Sequence, residues 1–373
     1  MATLLSRCAL CMTPALIFLL ITVSVDPAVQ QKRFLTIAAV GDVMMGTTFP
    51  AEKLPPHDGQ HLFREVRKSL RGADVVFGNL EGPLIDGGIT DKCAGREESA
   101  VCYTFRTPTR YVAHLAEAGF NVVSTANNHI LDFGLEGERS TRATLRGAFV
   151  QPAGGKDVAR IRVAGKRVAL VGFSFSKNGS SFPSVLDING MRRVVKKLKA
   201  ENDILIVSFH AGPEGTDALH IGDGAEFHEG ERRGETKRFA HEAVDAGADL
   251  LIGHGPHVVR GFELYKNKLI AYSLGNFATY RGINTQGLSG ISLILHAELD
   301  LETGNLVWGR VVPVRLRNGG IPFKDQKQAA LHLIRTLSSE DFSEQNLRFD
   351  NTGAFYASPL LQNIRAYFSP SGY

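Results

Sequence analysis

Two histidines three apart, His254 and His257, follow an apolar run that stops at Gly253 in the stretch DLLIGHGPH, 249–257. The same pattern recurs in RGADVVFGN (71–79), EAGFNVVSTANN (117–128) and KAENDILIVSFH (199–210), and FLTIAAV (34–40) runs into Gly41 and Asp42. Each time a short apolar run that reads as a strand empties into asparagine, glutamate, aspartate or histidine. Imidazole, amide and carboxylate together are the donor set of borderline divalent cations (Mn, Fe, Zn or Ni), not of calcium or a thiolate zinc site. A carboxylate bridging two such cations, beside a histidine that is not a ligand, supplies a water nucleophile and a proton donor for hydrolysis.

The elements that must position these groups are strands alternating with helices. In an open α/β sheet, ligands lie outside the carboxyl ends of the strands, so the five strand ends should converge on one site. The metal candidates are Asp42, Asn79, Glu81, Asn128, His210, His254 and His257. Asn79 and Glu81 are two apart and point the same way in an extended exit, one as ligand and the other as brace. Asn127 and Asn128 precede His129, and two adjacent amides are costly to bury without partners; His129 reads as functional and Asn127 as a substrate contact. His220 and His228 read as surface or substrate-loop residues.

Spacing predicts a helix through Leu62, Phe63, Val66 and Leu70 closing at Gly72, and another capped by Thr107 before Pro108 and ending at Gly119. Runs 161–163 and 168–173 form a hairpin, and Met191, Val194, Val195 and Leu198 form a helix stripe whose surrounding lysines and arginines read as a solvated face. Two later hairpins, across 266–268 and 302–305, point to a second sheet packed on the first. Beyond Ile321 the pattern weakens to a short helix near 328–337, so 33–320 reads as the domain and 321–373 as a C-terminal extension.

The chain has 373 residues, 43% hydrophobic and 21% charged, with 42 basic against 38 acidic residues and a net charge of +4. That is an ordinary globular composition, and its small, scattered charge argues against a nucleic-acid partner. Residues 1–29 carry an early Arg7 and an uncharged apolar stretch from Cys8 to Val25, as in a secretory signal peptide or N-terminal anchor. Export, to a periplasmic or extracellular location, would let Cys93 and Cys102 close a short loop as a disulfide, with two free thiols as the alternative. The polar loop between Asp86 and Tyr103 that carries them reads as a substrate-facing flap.

The order GlyAsp (41–42), GlyAsnLeuGlu (78–81), AsnAsnHis (127–129), a lone His210, GlyHisGlyProHis (253–257) and TyrSerLeuGlyAsnPhe (272–277) resembles the CapA family of capsule or poly-γ-glutamate synthesis proteins. That family is similar to the calcineurin-like metallophosphoesterases. The resemblance covers about Leu35 to Val314 and implies a four-layer α/β/β/α sandwich holding one or two divalent metal ions at the sheet ends. It implies Asp42, Glu81, Asn128, His210, His254 and His257 as ligands, and His129 as proton donor to the leaving group. It also implies Glu214 as an acidic residue touching metal or substrate; Asn276, in the last motif, is a substrate-binding candidate. Met44 departs from the phosphoesterase Asp-x-His pattern, Asn79 and Glu81 stand where an aspartate is usual, and Ala211 replaces a common tryptophan. The implied activity is hydrolysis of a phosphoester or γ-glutamyl amide bond in a capsule or cell-envelope polymer, with membrane-bound polymer-synthesis machinery as partner. The alternative is a non-catalytic accessory of polymer synthesis or export.

Overall fold

Along the first strand Ile37 and Ala39 face one way and Ala38 and Val40 the other, and all four are buried. A strand covered on both faces needs a layer on each side of its sheet, and the computed structural model shows both. It describes residues 32–94, 102–176, 182–344 and 347–357; the expected leader lies outside them.

In chain order, β1 (Phe34–Met44), α1 (Arg67–Leu70), β2 (Val75–Leu80), α2 (Val112–Ala118), β3 (Val122–Ser124), α3 (Gly134–Gly147) and β4 (Gln151–Ala153) form the first half. The second half begins with β5 (Ala159–Val163), β6 (Lys166–Ser174), α4 (Ile188–Glu201) and β7 (Ile204–His210). The small hairpin β8 (Glu226–His228) and β9 (Glu231–Gly234), then α5 (Thr236–Asp245), β10 (Leu250–His254), β11 (Phe262–Tyr265) and β12 (Lys268–Ala271) follow. Last come β13 (Asn276–Thr279), β14 (Ile291–Asp300), β15 (Leu306–Arg317), β16 (Ile321–Lys324), α6 (Ala329–Asp341), β17 (Arg348–Phe349) and β18 (Ala354–Tyr356).

The ten-stranded sheet runs β17-β18-β15-β14-β1-β2-β3-β4, with β13 also on β1 and β16 on β15; the six-stranded sheet runs β11-β12-β10-β7-β6-β5. Ile37 and Phe77 of the first meet Ile206 and Ile252 of the second in the core between them. On the outer face of the six-stranded sheet, Met191 and Val195 of α4 and Phe239 and Ala243 of α5 pack on Leu205, Val207 and Leu251. Leu115 and Leu145, from α2 and α3, cover the outer face of the other. The result is a mixed α/β architecture of two sheets flanked by helices, consistent with the calcineurin-like sandwich. Among the described residues no helix is long and apolar enough to cross a membrane.

Several sequence expectations are corrected. The crossover strands do not share one sheet: β1, β2 and β3 lie in one, β7 and β10 in the other. The late hairpins do not make a second sheet of their own either, because β11-β12 extends the six-stranded sheet and β14-β15 the ten-stranded one. Only Arg67–Leu70 of the 62–70 stretch is α-helical. Thr107 does not cap α2; its hydroxyl donates to the Gly46 carbonyl at 2.8 Å. α3 had no counterpart in the apolar pattern. The described residues after 320 build into the sandwich, as β16 pairs with β15 and α6 buries Ala330, Leu331 and Ile334 between the sheets.

Candidate metal centre

Because both sheets present the carboxyl ends of parallel strands at the same place, the polar strand ends meet there. Asp42 is in register with Asn79 on β2 and Asn276 on β13, and an irregularity after it lets β1 run on to Met44. Across the gap, His210 and His254 are in register on β7 and β10. His257 follows in the turn after β10 with φ 58°, a left-handed conformation that a non-glycine residue holds only where its surroundings impose it.

Asp42 Oδ2 lies 3.0 Å from His257 Nδ1, and Oδ1 lies 3.4 Å from His254 Nδ1. Glu81 Oε1 is 3.6 Å from His257 Nε2 and 3.9 Å from His210 Nε2. One ligand atom each from Asp42, Glu81 and His257 fall within 4.8 Å of one another. Both Glu81 oxygens, His210 Nε2, both ring nitrogens of His254 and Asn128 Oδ1 are buried without a hydrogen-bond partner. Polar atoms are not buried unpaired without a cost of roughly 1–3 kcal/mol each, and those of Glu81, His210 and His254 lie beside one another or beside Asp42. A divalent cation there would engage them, so the residues present fit one.

Electrostatics agree. Burial pushes Glu81 well above the carboxylate range, with Asp42 and Glu214 adding to the shift against the pull of His257. Burial also works against charge on Asp42, but its contacts with His254 and His257 win and hold it far below. His210 is driven well below the ordinary imidazole value by burial. His257 goes the other way, to about 10, because Glu81 and Asp42 outweigh its own burial. The His257 proton thus sits against the charge of Asp42, and a cation at the same place would supply positive charge to both acids.

The structure separates ligands from braces. Asn79 Nδ2 donates to Asp42 Oδ1 at 2.9 Å, and its Oδ1 accepts from Asn127 Nδ2 at 3.0 Å. Asn79 is therefore placed as a brace for Asp42, while Glu81 keeps both oxygens free to meet a cation. Asn127 also donates to the Leu80 carbonyl and accepts from the His129 amide; its amide is consumed inside the chain, not turned to a substrate. Asn276 is likewise engaged, donating to the carbonyls of His257, Asn284 and Ser289, with Oδ1 3.1 Å from His257 Nδ1. It holds the His257 turn.

Beside the cluster opens a cavity of about 820 Å³ lined by Asn128, His129, Glu214 and His228, with Lys92, Cys102 and Tyr103 from the flap. Glu214 Oε2 is 4.0 Å from His257 Nε2, and Oε1 accepts from Arg233 at 2.9 Å. Burial would raise the Glu214 pKa, but His257, Arg233 and His228 together bring it down, so it stays anionic. His129 Nδ1 is 2.9 Å from Asp132 Oδ2. Lys92 Nζ is also 3.2 Å from Nδ1; an ammonium cannot accept a proton and the Asp132 carboxylate can, so a proton on Nδ1 is directed to Asp132 and leaves Nε2 as the unprotonated nitrogen. Burial lowers the His129 pKa, Lys92 adds to this, and Asp132 opposes it.

Asp132, Lys92 and Arg233 are site residues that the sequence reading missed. An acid three residues after His129 was a usable signal for the first; nothing in the pattern distinguished the other two. His220 is peripheral, paired with Asp341. Cys93 and Cys102 form the disulfide.

Residues 36–281 match the family model described as bacterial capsule synthesis protein PGA_cap. The capsule biosynthesis protein CapA of Bacillus anthracis is 30% identical over 271 residues, 68% of this chain and 62% of that protein. The PGA biosynthesis protein CapA of Bacillus subtilis (strain 168) is 29% identical over 265 residues, 66% of this chain and 64% of that one. A Mycobacterium tuberculosis (strain H37Rv) protein named "Probable polyglutamine synthesis accessory protein" is 28% identical over 337 residues, 75% of this chain and 84% of its own length. The aligned part thus spans a little under two thirds of the two Bacillus relatives.

Proposed function

From the premise that the chain belongs to the bacterial capsule synthesis family PGA_cap, we propose that it is a metal-dependent hydrolase of cell-envelope polymer metabolism. The observation that carries this is the meeting of Asp42, Glu81 and His257 beside buried, unpartnered ring nitrogens of His210 and His254. Asp42, Glu81 and His257 would hold the cation, with His210, His254 and Asn128 completing its surroundings. When bound, a cation of this class supplies Lewis-acid polarisation and activation of water. His129 takes up a proton at Nε2 and returns it to the leaving group, while Asp132 stabilises the imidazolium. Glu214, held by Arg233, lies between the cluster and the cavity and orients the entering group.

The substrate in this reading is a capsule or envelope polymer, cleaved at a phosphoester or γ-glutamyl amide bond, outside the cytoplasm and beside membrane-bound synthesis machinery. The leader at 1–29 would deliver or anchor the protein there. Met44 favours a second reading, a non-catalytic accessory with one metal or none, because a buried thioether stands where phosphoesterases place a metal-binding imidazole.

Elemental analysis of the protein without its leader, purified without chelator or affinity tag, beside the Asp42→Ala, His254→Ala double variant, tests both. One or two metals per chain, lost in the variant, with turnover of phosphodiesters or γ-glutamyl amides, is the expected result. A folded protein that takes up neither Mn nor Zn overturns the hydrolase.

A further inference from the structure

The Asp132 side chain is completely buried, and three groups compensate its charge. Lys92 Nζ hydrogen-bonds Oδ1, the Phe105 amide donates to Oδ2 at 2.7 Å, and His129 Nδ1 lies 2.9 Å from the same oxygen. Lys92 and Phe105 come from the two stems of the flap, 91–94 and 102–105. Lys92 Nζ also donates to the Asn128 carbonyl at 3.2 Å, and the Phe105 ring packs on the His129 ring with centroids 4.5 Å apart. Lys92 and Phe105, one from each stem, therefore both hold the His129 turn.

The stems are anchored unequally. The second is tied into the fold, since the Arg106 amide donates to Thr47 Oγ1 at 2.9 Å and the Thr107 amide to the Pro83 carbonyl at 3.2 Å. In the first, the Lys92 amide bonds Thr90 Oγ1 and the Ala94 amide the Asp91 carbonyl, contacts that stay within 90–94; the chain leading into it is tied down farther back, where the Ile85 amide donates to the Thr107 carbonyl at 2.9 Å and Asp86 accepts from the Thr109 amide at 2.8 Å. What joins 91–94 covalently to the anchored stem is the bond between Cys93 and Cys102, with Cys93 Sγ 3.2 Å from Thr104 Oγ1 and Cys102 Sγ 3.8 Å from the Lys92 carbonyl.

We infer that Lys92 is a positioning residue for the Asp132–His129 pair and that the Cys93–Cys102 disulfide keeps it in place, so that the pair is fully set only in the oxidised chain. What the pair does rests on the hydrolase reading; how it is held does not. Reduction by a dithiol delivers two electrons and two protons, converts the S–S bond into two thiols and leaves the reductant as its own disulfide. Lys92 is then held by its side-chain contacts and the local bonds of 90–94 without the covalent tie, and the cation beside Asp132 is no longer fixed in place.

Amide hydrogen exchange on the full chain, followed by mass spectrometry, tests this in five samples: oxidised wild type, wild type reduced and alkylated, Cys93→Ser/Cys102→Ser, Lys92→Met and Lys92→Arg. Exchange across 126–133 and at Phe105 should accelerate about tenfold in the reduced, serine and methionine samples, the factor that loss of one charge-assisted hydrogen bond corresponds to. Lys92→Arg should keep most of the protection, and peptides from β7 in the other sheet should be unchanged throughout. Should Lys92→Met also loosen β7, the reduced wild type, whose sequence is intact, decides. Unchanged exchange at 126–133 in the reduced protein overturns the disulfide's role, and unchanged exchange in a folded Lys92→Met protein overturns that of Lys92. Given a turnover assay, Lys92→Met should lower kcat, leave KM near its original value, and be rescued by arginine. Absence of metal or turnover would refute the hydrolase while leaving these exchange rates as they are.

Discussion

At the scale of single residues, the site divides labour between groups with free atoms and groups without. In the sequence Asn79 reads as a ligand or brace and Asn127 as a substrate contact, yet their amide atoms are spent on Asp42, on each other and on the backbone. Glu81 and His254 keep unpartnered atoms at the centre. His129 belongs to neither set: it faces the cavity with Asp132 behind it. His129→Ala should therefore leave metal content unchanged and reduce turnover by about 10²–10⁴-fold, the usual contribution of a positioned proton-transfer group. His254→Ala should lower metal content and turnover together. Elemental analysis and steady-state kinetics on the same preparations check both, and wild-type turnover in His129→Ala would remove it from the mechanism.

The strands that deliver the site were legible because an apolar run ending in a polar residue is a local signal, and β1, β2, β3, β7 and β10 each carry it. The cysteine pair was legible for a different local reason, two cysteines nine apart downstream of an export-like leader. α3 was not, since it buries Gly137, Thr141 and Leu145 at i, i+4 and i+8, leaving a stripe of small residues where an apolar one is sought. That stripe matters to the site. Thr141 Oγ1 accepts the Leu84 amide at 2.8 Å and donates to the Gly137 carbonyl at 2.7 Å, while Ser140 donates to the Leu84 carbonyl at 2.7 Å. Together they fix the chain that leaves β2 through Glu81. Thr141→Val keeps the shape but strands the buried Leu84 N–H, and should cost about 1–3 kcal/mol in denaturant unfolding. A cost near zero would mean that α3 is held to this segment by packing alone.

For the whole molecule, which sheet each strand joins could not be read from the chain, because hydrophobic periodicity reports that a strand exists and not which strand it pairs with. The partition has a consequence that a single sheet would lack. Asp42 and Glu81 come from the ten-stranded sheet or the residue just past its β2, His210, His254 and His257 from the six-stranded one or the turn beyond it, so a cation at the centre would link the two at the carboxyl ends of their strands. A ligand that binds only the folded chain stabilises it by about 2.7 kcal/mol at a hundredfold excess over Kd. For a fold of this size that raises Tm by about 4 °C. Removing metal with a chelator and restoring Mn or Zn should therefore lower and then recover Tm by that amount in the wild type. Glu81→Gln removes an anionic ligand from one sheet and His254→Ala an imidazole from the other, so each variant alone should abolish most of the metal-dependent shift. If only the six-stranded-sheet variant did so, the cation would be held by one sheet and would not bridge the two. A Tm indifferent to both chelator and added cation would mean that the buried acids and imidazoles balance one another without metal.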